Sequence, residues 1–222
     1  MKGILRSVAA ATGILALGLQ FWLETRLPSS GGLVRSTLHF VGYFTIVANA
    51  AAALAMLLPL LVPQHLAGRF FTLPSVRTAI AGYMVIVAVT YFVFLSHIGD
   101  DQGLERLADR LLHYVTPALF VIDWLLFVPR GYAAWRMIAA SLLMPLCYGL
   151  WTMIYGARTN WWPYPFVDVA RLGRQEVWTN MLTFLGAFLA IAIVLTGIDR
   201  LLGVALGEMS GEGHKHGGRG GR

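Results

Sequence analysis

The sequence predicts an all-α membrane protein: a polytopic bundle of six transmembrane helices in one domain, with the N- and C-termini cytoplasmic. Three observations predict it. Apolar residues arrive in blocks of about 20, the length a helix needs to cross roughly 30 Å of hydrocarbon. The 222-residue chain is 57% hydrophobic and only 13% charged, more apolar surface than a water-soluble fold of this length can hide. Between the blocks lie short stretches of Pro, Gly and charge, which end helices.

The first span, residues 4–23, follows Lys2 and Arg6 as a signal peptide would. Residues 20–24 read Gln-Phe-Trp-Leu-Glu where a small-residue cleavage site would stand, so this helix is expected to be retained. A polar loop over 24–36 carries Pro28, Ser29, Ser30, Gly31 and Gly32. The second span, 38–62, ends at Pro59 and Pro63, and Arg69, Pro74 and Arg77 lead into the third, 78–97. An acidic connector over 99–105 precedes the fourth, 108–127. Pro129-Arg130-Gly131 turns the chain into the fifth, 135–155. The longest connector, 156–176, holds Asn160-Trp161-Trp162-Pro163-Tyr164-Pro165-Phe166 and opens the sixth span, 177–202. The tail, 207–222, is rich in Gly and charge and is expected to be disordered.

A net charge of +6 raises the question of nucleic acid, but Lys and Arg are scattered between apolar blocks and form no stripe, so no nucleic-acid partner is expected. In this setting they set topology. With a cytoplasmic N-terminus, ten Lys and Arg fall inside and seven outside, and seven of the eleven acids fall outside. The single cysteine, Cys147, forms no disulfide within the chain and no cysteine metal site. His214 and His216 in the tail are too few to build a metal site, and no cofactor is expected.

Ionisable groups are costly in hydrocarbon, so the fourth span's His113 and Asp123 need a reason. The second and fourth spans begin at the same face. Thr45 and His113 therefore share one shallow layer, within about 10 Å of the boundary at ~1.5 Å per residue. Each has an ordinary reading. Thr45 and Asn49, one turn below it, serve helix packing as membrane Thr and Asn often do, and His113 can snorkel. The Trp and Tyr at 161, 162 and 164 suit an interfacial belt. Asp109, four residues before His113, can hold its imidazole, and Arg106 can equally neutralise it. Asp123, ten residues beyond His113, reads as a structural anchor or, with His113, as a proton relay.

Three short motifs occur in order on this chain: Tyr43-Phe44-Thr45 early in the second span, Leu112-His113 with Pro117 after it, and Tyr164-Pro165-Phe166 before the sixth. In that order, on six spans, they resemble the FAR-17a/androgen-induced-gene family and its bacterial six-pass relatives. The resemblance runs from the second span to the sixth. It implies an intramembrane threonine hydrolase of fatty-acyl esters, with Thr45 as nucleophile and His113 as its base, in a bacterial inner (plasma) membrane. The partners implied are the lipid bilayer and a lipid ester substrate; Asn49, Asp123, Tyr164, Pro165 and Phe166 are the supporting candidates. The chemistry is coherent, because a Thr hydroxyl needs a base and neutral imidazole supplies one. The amide of Asn49, that of Asn180 and the Tyr43 hydroxyl are candidate oxyanion donors. The competing expectation is a non-catalytic carrier, channel or regulatory partner whose buried polar residues hold helices together.

Overall fold

The structure, a computed structural model, describes residues 1–26, 32–98 and 102–216, with side chains to Gly207. The helices are α1 (Lys2–Arg26), α2 (Leu33–Val41), α3 (Phe44–Leu61), α4 (Leu66–Phe70), α5 (Pro74–Thr90), α6 (Gly103–Arg110), α7 (Thr116–Phe127), α8 (Met137–Ser141), α9 (Leu143–Thr159), α10 (Val169–Leu172) and α11 (Arg174–His216). Two π-helical segments interrupt the set. Tyr91–Leu95 extends α5, and Leu111–Val115 joins α6 to α7 without a break. Among the described residues there is no strand. Six stretches are long and apolar enough to cross a membrane: Lys2–Arg26, Phe44–Leu61, Pro74–Leu95, Gly103–Phe127, Met137–Thr159 and Arg174–Gly207. The breakers at 28–31, the acids at 100–101 and the end of the tail lie outside the described residues, while the backbone of α11 runs to His216.

The second span begins at Phe44, six residues later than the apolar run suggests, because the chain breaks at Gly42 and Tyr43. The Gly42 amide donates back to the His39 carbonyl at 2.9 Å, and the Tyr148 hydroxyl donates to the Gly42 carbonyl at 2.8 Å. The Trp161 ring lies against Gly42 so closely that a Cβ there would sit 2.8 Å from it. Only glycine admits the indole, and α2 is thereby cut off as a short separate helix.

Prolines inside the spans explain several polar contacts. Proline has no N–H, so it orphans the carbonyl one turn back, and a buried orphan must find another donor. Pro59 frees the Ala55 carbonyl, which accepts from Arg77 Nη1 at 2.9 Å. Pro145 frees the Ser141 carbonyl, which accepts from the Tyr83 hydroxyl at 2.5 Å. At Pro117 the helix has widened to π spacing, with the Thr116 amide donating to the Leu111 carbonyl. The orphan is therefore Leu112, five residues back, and Asn49 Nδ2 donates to it at 3.1 Å.

The core is built where small residues let helices approach. Ala9 and Ala10 of α1 meet Ala48, Ala52 and Ala55 of α3, and Ala81 of α5, all buried. Met56, Met84, Phe120 and Trp124 fill the layer beneath them.

Two polar layers cap this core at opposite ends. At the end bearing the N-terminus, Asp123 is held by both Arg6 and Arg77. Arg6 grips it with a fork, Nε to Oδ1 at 2.7 Å and Nη2 to Oδ2 at 3.2 Å. Arg77 Nη2 donates to Oδ2 and the guanidinium also reaches the Phe71 carbonyl at 3.3 Å. In the same layer Asp199 accepts from the Ala133 amide at 2.9 Å, with Arg130 Nη1 3.8 Å away. The Asp123 contacts join the starts of the first and third of these stretches to the end of the fourth, and the Asp199 contacts join the sixth to the connector at 130–133. The opposite end, called distal here, carries the starts of α3 and α6.

Two sequence expectations change here. Asp123, near the middle of the apolar stretch 111–129, lies only four residues before the end of its helix at Phe127. Arg6 and Arg77, read as topology-setting charges on the surface, are buried partners of Asp123.

Candidate active site

Thr45 is the second residue of α3, at a helix N-terminus whose first amides have no acceptor within the helix. Its Oγ1 lies 3.3 Å from His113 Nε2 and 3.4 Å from the Tyr164 hydroxyl. The Thr45 amide donates to that same hydroxyl at 3.3 Å. On the other side of the imidazole, Nδ1 is 2.9 Å from Asp109 Oδ1 and 3.0 Å from the Asp109 carbonyl. Both partners accept only, so Nδ1 carries the proton and Nε2 presents its lone pair to Thr45.

Local structure fixes each member. His113 sits inside the π segment Leu111–Val115, and the other π segment carries Tyr91, whose ring stacks on the imidazole with centroids 4.1 Å apart and planes 18° from parallel. π segments recur at functional sites because the extra residue re-aims side chains. Asn49 binds the two helices together beneath the pair, donating to the Thr45 carbonyl at 2.8 Å as well as to Leu112. It holds the register of Thr45 against His113. With both donors used in this way, its amide is not an oxyanion donor.

The Tyr-Pro-Phe run forms a 3₁₀ turn, Pro165–Val167, that drops back into the bundle. Asn180 Nδ2 pins it by donating to the Phe166 carbonyl at 2.9 Å, and Asn180 lines neither of the two chambers beside Thr45, which takes it out of the oxyanion candidates. Tyr164 reaches Thr45, and Phe166 stacks on Tyr164 at 5.0 Å and packs on Phe184 at 4.6 Å. Burial raises the Tyr164 hydroxyl above its ordinary pKa despite hydrogen bonds from the start of α3, so it stays a neutral donor. Tyr43 is pushed up to about 12 by burial, then by Glu24 and Tyr164. Its ring packs edge-on to Tyr164 at 5.7 Å.

Thr45 stands between two chambers. One, of about 210 Å³, is lined by apolar side chains of α5, α9 and α11, among them Leu146, Trp178, Leu182 and Phe188, and by Phe166 of the 3₁₀ turn. Leu146, Trp178 and Leu182 are also 50%, 54% and 65% exposed on the outer surface of the bundle, so this chamber opens sideways between α9 and α11. The other, of about 390 Å³, lies at the distal end over His113 and Asp109, with Glu24, Glu105 and Pro165 in its wall. Thr45, Tyr91 and Tyr164 line both.

The sequence candidates therefore divide. Thr45, His113, Asn49, Tyr164, Pro165 and Phe166 converge on one place. Asp123 does not: ten residues further along the fourth span, it lies about 15 Å away at ~1.5 Å rise per residue, locked between two arginines. A relay from Asp123 to His113 has no support in this arrangement. The Tyr164 hydroxyl at Thr45 was not foreseen, because the aromatic connector also suits an interfacial belt. The Asp109 contact was legible in its i, i+4 spacing. No family model matches this chain, and no curated protein or solved structure matches it either.

Proposed function

We propose that the protein is an intramembrane threonine hydrolase of fatty-acyl esters, of the kind its resemblance to the FAR-17a/androgen-induced-gene family implies, seated in a bacterial inner membrane with both termini cytoplasmic. The observation that carries the reading is the 3.3 Å approach of Thr45 Oγ1 to His113 Nε2 at the junction of an apolar and a polar chamber. The acyl chain enters sideways between α9 and α11 and fills the apolar chamber. His113 takes the Thr45 proton as Oγ1 attacks the ester carbonyl, while Asp109 holds the ring and stabilises the imidazolium. The Tyr164 hydroxyl donates to the oxyanion of the tetrahedral intermediate. His113 then protonates the departing alcohol, leaving acyl-Thr45. Water from the polar chamber, deprotonated by His113, releases the fatty acid and restores the threonine.

A fluorophosphonate probe tests the reading. Labelling of detergent-solubilised protein, followed by peptide mapping, is expected to place the adduct on Thr45 and to disappear in His113→Ala. A folded, unlabelled wild type would favour the non-catalytic reading, in which Thr45, Asn49 and His113 serve only helix packing. Tyr164→Phe keeps the ring stack and removes one oxyanion donor. It is expected to lower kcat on the order of 10² to 10³ with little change in KM, measured on a short-chain fatty-acyl ester.

A further inference from the structure

The hydrolase reading leaves open which alcohol departs, and the walls of the distal chamber bear on it. Three carboxylates line that chamber, Glu24, Glu105 and Asp109, together with the rings of Tyr43, Tyr91 and Tyr164. No lysine or arginine is among its described lining residues. The one basic group in the wall is His113, whose Nδ1 proton is committed to Asp109. Outside the wall, His39 Nδ1 stands 3.9 Å from Glu24 Oε1. Burial, with Arg35 nearby, lowers the His39 pKa, so this imidazole is neutral at pH 7 and places no positive charge of its own beside Glu24. Carboxylates set among aromatic rings are the surroundings that ammonium groups seek, through charge and through the negative ring faces. A carboxylate or phosphate there meets like charge and no cation among the described lining residues.

We infer that the distal chamber receives the alcohol half of the ester and selects alcohols that carry an ammonium group, excluding anionic ones. This rests on the hydrolase reading and names the substrate class of that same site. The reaction is simple hydrolysis: water adds across the acyl C–O bond, giving one fatty acid and one amino or quaternary-ammonium alcohol. No other co-reactant is needed. A fatty-acyl ester whose alcohol half itself carries a carboxylate is selected against.

Three esters sharing a dodecanoyl chain test the inference: those of choline, glycerol and glycolate, which differ in charge at the alcohol. For the full-length protein in neutral detergent at low ionic strength, kcat/KM is expected to fall in that order. The expected span from choline to glycolate is roughly tenfold to a hundredfold, shrinking as salt is added. Glu24→Gln with Glu105→Gln is expected to compress the choline-to-glycolate ratio several-fold, whatever it does to absolute rates. Equal or reversed rates among cleaved esters overturn the selectivity and leave the hydrolase reading standing. Cleavage of none of the three overturns the inference, and the fluorophosphonate result on Thr45 then decides whether the hydrolase reading falls with it.

Discussion

Thr45→Ala is expected to reduce ester turnover to background while the protein still folds. Loss of a hydrolase nucleophile costs on the order of 10⁶ in kcat where the base acts only through it. The folded state loses little, because the hydroxyl makes only the long contacts to His113 and Tyr164, at 3.3 and 3.4 Å. Side-chain hydrogen bonds of this kind contribute about 1 kcal/mol net. His113→Ala should match Thr45→Ala, and the double variant should be no worse than either, since the two act as one unit. Thr45→Ser keeps the hydroxyl and should keep measurable turnover. Each variant is to be compared with wild type by turnover and by melting temperature in the same detergent. Undiminished turnover in Thr45→Ala would end the hydrolase reading. Lost turnover with an equal loss of stability would point to packing instead.

The architecture was legible because hydrocarbon imposes length and polarity on every span, and the six blocks carry that signal openly. The helix break at Gly42 was not, since its cause is Trp161, more than a hundred residues away in sequence. Proline announces that a carbonyl about one turn back needs another donor, as Pro59, Pro117 and Pro145 did, although the π spacing moved the orphan at Pro117 to Leu112. They could not say that Arg77, Asn49 and Tyr83 would supply them. In the site, helix depth brought Thr45 and His113 into one layer, and i, i+4 spacing brought Asp109 to His113. Rotation about each helix axis was undetermined until the π segments fixed it. Asp123 looked central because the apolar stretch was read as running from 111 to 129. The helix starts earlier, at Gly103, and stops at Phe127, which leaves Asp123 four residues from its end. Charge counting treated Arg6 and Arg77 as loop residues for the same reason: single residues near a boundary face water or protein according to a partner that sequence does not name.

That partner makes Asp123→Ala the substitution with the largest expected cost in stability. Asp123 is fully buried, and the side chains of Arg6 and Arg77 are 7% and 1% exposed. Removing the carboxylate leaves two buried guanidiniums facing each other across an empty site. Breaking a buried ion pair in this way costs about 3–5 kcal/mol. Arg77 retains the Ala55 and Phe71 carbonyls as acceptors, whereas among the described residues the Arg6 side chain donates to Asp123. Arg6 should therefore be the group that forces the first span away. Asp123→Asn preserves shape and one acceptor oxygen and should fall between wild type and alanine. Replacing all three residues together by leucine should recover most of the loss, because no buried charge then remains, although the Ala55 carbonyl stays orphaned. Reversible unfolding in mixed detergent micelles measures the series. A cost below about 1 kcal/mol for Asp123→Ala would mean that water or lipid headgroups already share this layer. Turnover per folded molecule should be unchanged throughout. A selective loss of activity in stable Asp123→Asn would instead restore the coupling to His113 that the intervening helix argues against.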